Sequence, residues 1–180
     1  MRHLFFVVII TTWLGACNQP VKGRNGEIYK SAVQYNDYII SRQATLIKNV
    51  LEFSSIAQTD LDSADRMLDK YVVETDSMIL NLDGMPPYKG DSSFRNAAIA
   101  SFAFYKKIFG NEYKQLINIR KRGNATEEGI AEMNGIVGDI TREEEKYDKA
   151  FHNAQKSFAD KNNMKLGENE MQKKIDKMGQ

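Results

Sequence analysis

Proline, cysteine and histidine are scarce in this chain, and each shortage removes a class of protein. Only Pro20, Pro86 and Pro87 occur in 180 residues, so long stretches carry nothing that forcibly interrupts a helix. Cys17 is the single cysteine, which excludes an internal disulfide, and with only His3 and His152 beside it no Cys/His zinc ligand set is available. Charge of one sign is also lacking: 25 basic residues face 24 acidic ones, leaving no electrostatic footprint for nucleic acid. Di-iron bundles require paired Glu-x-x-His motifs, but Lys149 stands three residues before His152. Nor is there a Cys-x-x-Cys-His haem attachment, a Gly-rich phosphate loop or a Gly-x-Ser-x-Gly elbow. The reading is of a chain without metal, cofactor or catalytic residue.

What is present begins at the amino terminus. Arg2 and His3 precede an apolar run from Leu4 to Ala16, broken only by Thr11 and Thr12. That is the charged start and short apolar stretch of a secretory signal. The run falls short of the roughly 20 apolar residues a membrane span needs. Ordinary signal cleavage after Ala16 fits poorly, because bulky Leu14 would occupy the third position before the cut.

Leu14-Gly15-Ala16-Cys17 instead resembles the bacterial lipobox. The resemblance implies that the Cys17 thiol takes a diacylglycerol through a thioether and that a dedicated peptidase then cuts between Ala16 and Cys17. Only a thiol supplies that sulfur, and two acyl chains suffice to hold a protein on a membrane without a transmembrane helix. Asn18, which is not Asp, favours the outer membrane under the sorting habit of Gram-negative lipoproteins. No acidic run, one surface-export signal, follows Cys17. The alternative is an incidental Cys17 after a simple signal or an uncleaved anchor.

Pro20 to Gly26 is rich in Gly, Asn and Lys and reads as a flexible tether. From about Glu27 the chain turns to helical spacing. Ala32, Tyr35, Ile39, Leu46, Val50, Phe53 and Ala57 alternate in steps of three and four, with Gln43 at the skipped position. After a cap at Thr59 or Asp60, a second stripe runs through Leu61, Ala64, Leu68, Tyr71, Met78 and Leu82, with Thr75 between. Asp83 to Asp91 breaks the pattern. A third stripe, Phe94, Ala98, Ser101, Tyr105, Ile108, Leu116 and Ile119, is widened by Phe102, Phe104, Phe109 and Tyr113, with Gly110 as a point of break or kink. Beyond Lys121-Arg122-Gly123, Ile130, Met133, Val137, Ile140, Tyr147, Phe151, Ala154 and Phe158 form a fourth, with Glu144 at its skipped position.

No strand pattern and no internal repeat is visible. Four amphipathic helices joined by short loops predict an all-α, antiparallel up-down-up-down four-helix bundle. The rival is a three-helix core with one helix displaced. The divisions are residues 1–16 as lipoprotein signal, 17–26 as tether, 27–163 as bundle and 164–180 as a polar tail.

Gln43 and Glu144 each lie about 25 Å from the shared end of the first and fourth helices at 1.5 Å per residue. They could form a ligand site, a hydrogen-bonded pair fixing register, or two separate contacts with solvent at the bundle edge. The third-helix aromatics read as core or as an uncovered groove, and Met85-Pro86-Pro87-Tyr88 as an exposed recognition loop or a plain connector. Asn124-Ala125-Thr126 reads as helix capping. Asp62-Ser63-Ala64 and Asp76-Ser77-Met78 match a short bacterial O-glycosylation pattern.

Tyr35-Asn36-Asp37, Phe104-Tyr105-Lys106, and Gln155 with Phe158-Ala159-Asp160-Lys161 give the chain, from about Glu27 to Lys161, a likeness to a functionally uncharacterised family of all-helical bacterial surface lipoproteins. That resemblance implies no catalytic residue. The expectation is a membrane-anchored envelope lipoprotein, a non-enzymatic module that binds an envelope protein or cell-wall partner. The alternative is a small-molecule carrier or enzyme using an interior polar site.

Overall fold

Four of the five described helices begin where a side chain accepts from the free amides of a first turn. The computed structural model describes residues 20–123 and 126–167, so Ala16, Cys17 and the signal segment, together with Asn124, Ala125 and residues 168–180 of the tail, lie outside the described residues. A short strand pair, β1 (Val21–Lys22) and β2 (Ile28–Tyr29), precedes the helices. Helix α1 (Ala32–Ile56) opens on Ser31, whose hydroxyl accepts from the Gln34 amide at 3.2 Å, while the Gln34 side chain accepts from the Lys30 amide at 2.9 Å. Asp60 caps α2 (Leu61–Asp83) by accepting from the Ser63 amide at 2.9 Å. Asp91 accepts from the Ser93 amide at 2.8 Å where α3 (Ser93–Gly110) starts, and α4 (Glu112–Lys121) follows with Asn111 alone between. Thr126 caps α5 (Glu127–Lys161), accepting from the Gly129 amide at 3.1 Å, with Glu127 and Glu128 at the positive end of the helix dipole.

The chain is thus mostly helical, with one addition the sequence did not announce. β1 and β2 pair antiparallel, Val21 opposite Tyr29 and Lys22 opposite Ile28. Two-residue strands are too short for alternation to register. Residues 21–26, expected as a flexible tether, are instead tied to the end of α2. The Gly84 carbonyl accepts from the Arg24 amide at 2.7 Å, and the Asn25 side-chain amide donates to Tyr29 Oη at 2.7 Å and to the Asn81 carbonyl at 3.1 Å. Gly84 permits this approach, since a Cβ there would stand 2.8 Å from the Asn25 nitrogen.

Polar contacts order the helices along one another. Asn49 of α1 donates to Glu74 of α2 at 2.9 Å. Across the α2 face, Asp76 pairs with Lys106, Asp69 with Lys114 and Asp62 with Lys121, so α2 runs in the opposite sense to α3 and α4. Between α3 and α5, Phe94 meets Phe151 and Phe104 stacks on Tyr147 at 4.8 Å. The core fills the space enclosed. Tyr35, Tyr88, Phe94 and Phe158 form one aromatic cluster with ring centroids 5.3–5.5 Å apart, each contact adding roughly 0.5–1.5 kcal/mol beyond burial.

The break expected at Gly110 is present, and one expectation about α5 needs correction. The third apolar stripe is divided at Asn111 into α3 and α4, at the glycine boundary. Space does not demand Gly110, because a Cβ there would make an ordinary 3.6 Å contact with Val72. The first three turns of α5 were expected to face the core, but Ile130 and Val137 are exposed, and Ile140 is the first buried residue. Length explains this: at 1.5 Å per residue α5 is about 52 Å long against about 37 Å for α1 and about 15 Å for α4. At its other end α5 stops in a left-handed Asn163 at φ 51°, with the Met164 amide donating back to the Ala159 carbonyl at 2.9 Å. Met164 packs against the core at the start of the expected tail.

Candidate functional site

The helices α1 and α5 are clasped near one end. Asn36 Oδ1 accepts from Gln155 Nε2 at 2.9 Å, and the Tyr35 and Phe158 rings stack at 5.4 Å with 24° between planes. About two turns along each helix from this clasp, a cleft of about 550 Å³ opens. Gln43, Leu46 and Ile47 line it from α1, Ser101 and Tyr105 from α3, and Thr141, Glu144, Glu145, Asp148 and Lys149 from α5.

Stripe periodicity delivers these groups. Gln43 takes the inward position between Ile39 and Leu46, so it is carried into the interior with its neighbours and is only 7% exposed. Its side-chain amide makes no hydrogen bond to another described residue and opens on the cleft, unlike the Tyr71 and Thr75 hydroxyls, which are sealed in the interior without a partner. Glu144 follows Ile140 by one turn and precedes Tyr147 on α5, and it is half-buried. Its Oε1 accepts from the Tyr105 hydroxyl at 2.5 Å. The structure therefore brings Gln43 and Glu144 to one cleft, while the direct partner of Glu144 is Tyr105.

Negative charge in the cleft is felt by its neighbours. Burial pushes the Tyr105 phenol far above its ordinary range, and the fields of Glu144 and Asp148 push it further, so the hydroxyl remains a donor. The Tyr113 phenol rises to about 12, through burial first and Glu144 second. Burial also raises the Asp148 carboxyl, reinforced by Glu144 and opposed by His152. Three carboxylates, Glu144, Glu145 and Asp148, stand against one ammonium, Lys149. Asp148 was not singled out from the sequence. Its signal was its position one turn after Glu144, which places both carboxylates on the same side of a helix.

The remaining candidates resolve into structural parts. Phe94, Phe102, Phe104, Tyr105 and Phe109 are all buried in the core. In the Met85–Tyr88 connection, Met85 and Tyr88 are buried and the Pro86 carbonyl accepts from Tyr35 Oη at 3.0 Å, which makes it an anchored connector. Ser63 is engaged in the α2 cap, with its hydroxyl 2.6 Å from Asp60 Oδ2, and Ser77 is exposed. His152 is exposed, its Nδ1 2.9 Å from the Asp148 carbonyl. A smaller cavity of about 360 Å³ lies beside Phe104, Ile108 and Ile140. There Lys107 sits 2.9 Å from Glu112 and 3.7 Å from Glu143, so opposite charges already answer one another.

Among the described residues, no three carboxylate, imidazole or thiol groups are placed to hold a metal ion, and no helix is long and apolar enough to cross a membrane. The α1–α5 cleft offers a buried amide, the Ser101 hydroxyl and a half-buried carboxylate oriented by a tyrosine, a set suited to hydrogen bonding and charge recognition. Compared with known protein families, curated proteins and solved structures, the chain matches none of them.

Proposed function

We propose that this protein is a lipid-anchored envelope lipoprotein whose helical body acts as a non-enzymatic binding module, with the cleft between α1 and α5 as its binding site. The anchor rests on Leu14-Gly15-Ala16-Cys17, with cleavage between Ala16 and Cys17 and lipid attached to the cysteine sulfur. Asn18 supports residence at the outer membrane. In this reading the body is an up-down-up-down four-helix bundle in which α3 and α4 together make one bent third helix. The likeness to all-helical surface lipoproteins belongs to the same proposal, and its motif residues include the Tyr35–Phe158 and Asn36–Gln155 contacts that clasp α1 to α5.

The observation that carries the binding role is Gln43, a residue more than nine-tenths buried whose side-chain amide opens on the cleft and makes no hydrogen bond to another described residue. That amide opens on the cleft, where water can serve it, so an occupant that displaces the water has to match its donor and acceptor. A volume of about 550 Å³ lies within the range of roughly 300–1,000 Å³ usual for small-molecule sites. This favours a small ligand over a cell-wall or protein partner.

Thermal unfolding tests the reading. The low-molecular-mass fraction of a cell-envelope extract should raise the melting temperature of the native protein, because a ligand that binds only the folded state stabilises it. Ile47→Trp, which fills the cleft, should unfold at the same temperature with or without the extract. An equal response of both proteins, or of neither, would contradict a binding role for this cleft.

A further inference from the structure

We infer that the ligand of the α1–α5 cleft is a small organic cation, an aliphatic amine whose ammonium groups are received by Glu144 and Asp148 and whose chain lies beside Gln43. The inference rests on reading the cleft as a binding site and adds the chemistry of its occupant.

Charge is the first ground. The cleft gathers three carboxylates against the single ammonium of Lys149, and two of them, Glu144 and Asp148, stand one turn apart on α5, about 6 Å along the axis. Like charges at that spacing oppose one another on a bare helix. Burial and the Glu144 field together raise the Asp148 carboxyl, and the same field raises two neighbouring tyrosines. Among the described residues no cation hydrogen-bonds either carboxylate; the described partner of Glu144 is the neutral Tyr105 hydroxyl. A guest ammonium would answer the imbalance, because charge-assisted hydrogen bonds to carboxylates are about twice as strong as neutral ones.

Gln43 is the second, independent ground. Its unpartnered amide reaches the cleft from the opposite wall, on α1. An amide offers both a carbonyl acceptor and an amino donor, so it can take an N–H from an amine while Leu46 and Ile47 beside it cover methylenes. A metal ion does not fit this arrangement. No three ligating groups converge among the described residues, and the facing wall is an amide on an apolar helix face. A linear diamine does fit, since its two charges are separated by an apolar chain as Glu144 and Asp148 are separated by a helical turn.

Isothermal titration of the full-length protein in detergent tests this with cadaverine as the probe. Pentanediol serves as its uncharged counterpart, and Nα-acetyl-lysine amide presents a single ammonium as it would occur on a peptide. Cadaverine should bind saturably, at least about tenfold more tightly than pentanediol, and more tightly than Nα-acetyl-lysine amide. Glu144→Gln and Asp148→Asn should each weaken it about tenfold, and Gln43→Leu about fivefold. Circular dichroism melts of each variant confirm that it is folded when titrated. The amine assignment is overturned if cadaverine fails to saturate, if pentanediol binds equally well, if Nα-acetyl-lysine amide binds more tightly, or if folded carboxamide variants keep the native affinity. Should cadaverine fail while the envelope extract still stabilises the native protein and not Ile47→Trp, the binding role stands and only the amine falls. Failure of both removes both.

Discussion

Replacing Tyr105 by Phe isolates the contact that organises the cleft. The ring of Tyr105 is buried against Phe104 and Phe109, with centroids 5.4 and 6.4 Å away, and phenylalanine keeps that ring, so no cavity is created. What is lost is one oxygen, the donor to Glu144 Oε1 at 2.5 Å. A hydrogen bond to a charged group contributes about 1.5–3 kcal/mol net. Glu144 is only half-buried and borders an open cleft, so water can replace part of the lost donor, which brings the expected loss to about 1–2 kcal/mol. For a domain of this length that lowers the melting temperature by about 3–7 °C. The urea midpoint should fall with an unchanged slope, since the surface exposed on unfolding is the same. A double-mutant cycle with Glu144→Ala should return a coupling of about 1 kcal/mol, as expected for residues in direct contact. A Tyr105→Phe protein within about 0.3 kcal/mol of native, or additivity within that margin, would refute the view that Tyr105 holds Glu144 in place.

Two further perturbations test the frame around the site. Phe158→Ala empties the centre of the Tyr35, Tyr88 and Phe94 cluster and should cost about 3–5 kcal/mol in denaturant unfolding; a cost below about 1 kcal/mol would show that this end of α5 is not packed as described. Asp91 is held well below the usual carboxylate range, chiefly by Lys161 at 2.6 Å and then by Ser93. A carboxyl depressed on folding contributes stability that is present above its unfolded value, about 3.9, and is lost as pH falls through the lower folded value. Asp91→Asn should therefore lower stability by about 0.5–1 kcal/mol at pH 7, and the gap should narrow as pH drops below about 4; a gap that is constant with pH would contradict the pairing.

How far the sequence disclosed this molecule depends on the residue. Steps of three and four from Ala32 to Ala57 and from Leu61 to Leu82 marked α1 and α2 closely, because continuous apolar stripes without proline have few alternatives. The same rule misread Ile130 and Val137. Periodicity shows that a helix has an apolar face, but not whether a neighbour reaches far enough to cover it, and α5 outruns its neighbours. The β1–β2 pair left no periodic trace, since it is held by Asn25 and the Gly84 carbonyl, contacts nearly sixty residues apart in the chain. At the cleft, a polar residue at each skipped stripe position pointed to Gln43 and Glu144. The contribution of Tyr105 was hidden because a tyrosine on a core stripe looks the same whether its hydroxyl is idle or donating. Asp148 was hidden because one carboxylate on a highly charged helix carries no mark of its surroundings until its neighbours are placed.

The anchor at Cys17 is the claim on which the proposed localisation depends, and intact-mass and peptide spectrometry of the amino terminus tests it most directly. Protein from native membranes should begin at Cys17 and carry the added mass of a diacylglycerol on that residue, and Cys17→Ser should abolish both the cut before residue 17 and the lipid. A native amino terminus at Met1, or a cut that leaves an unmodified cysteine, would contradict the account.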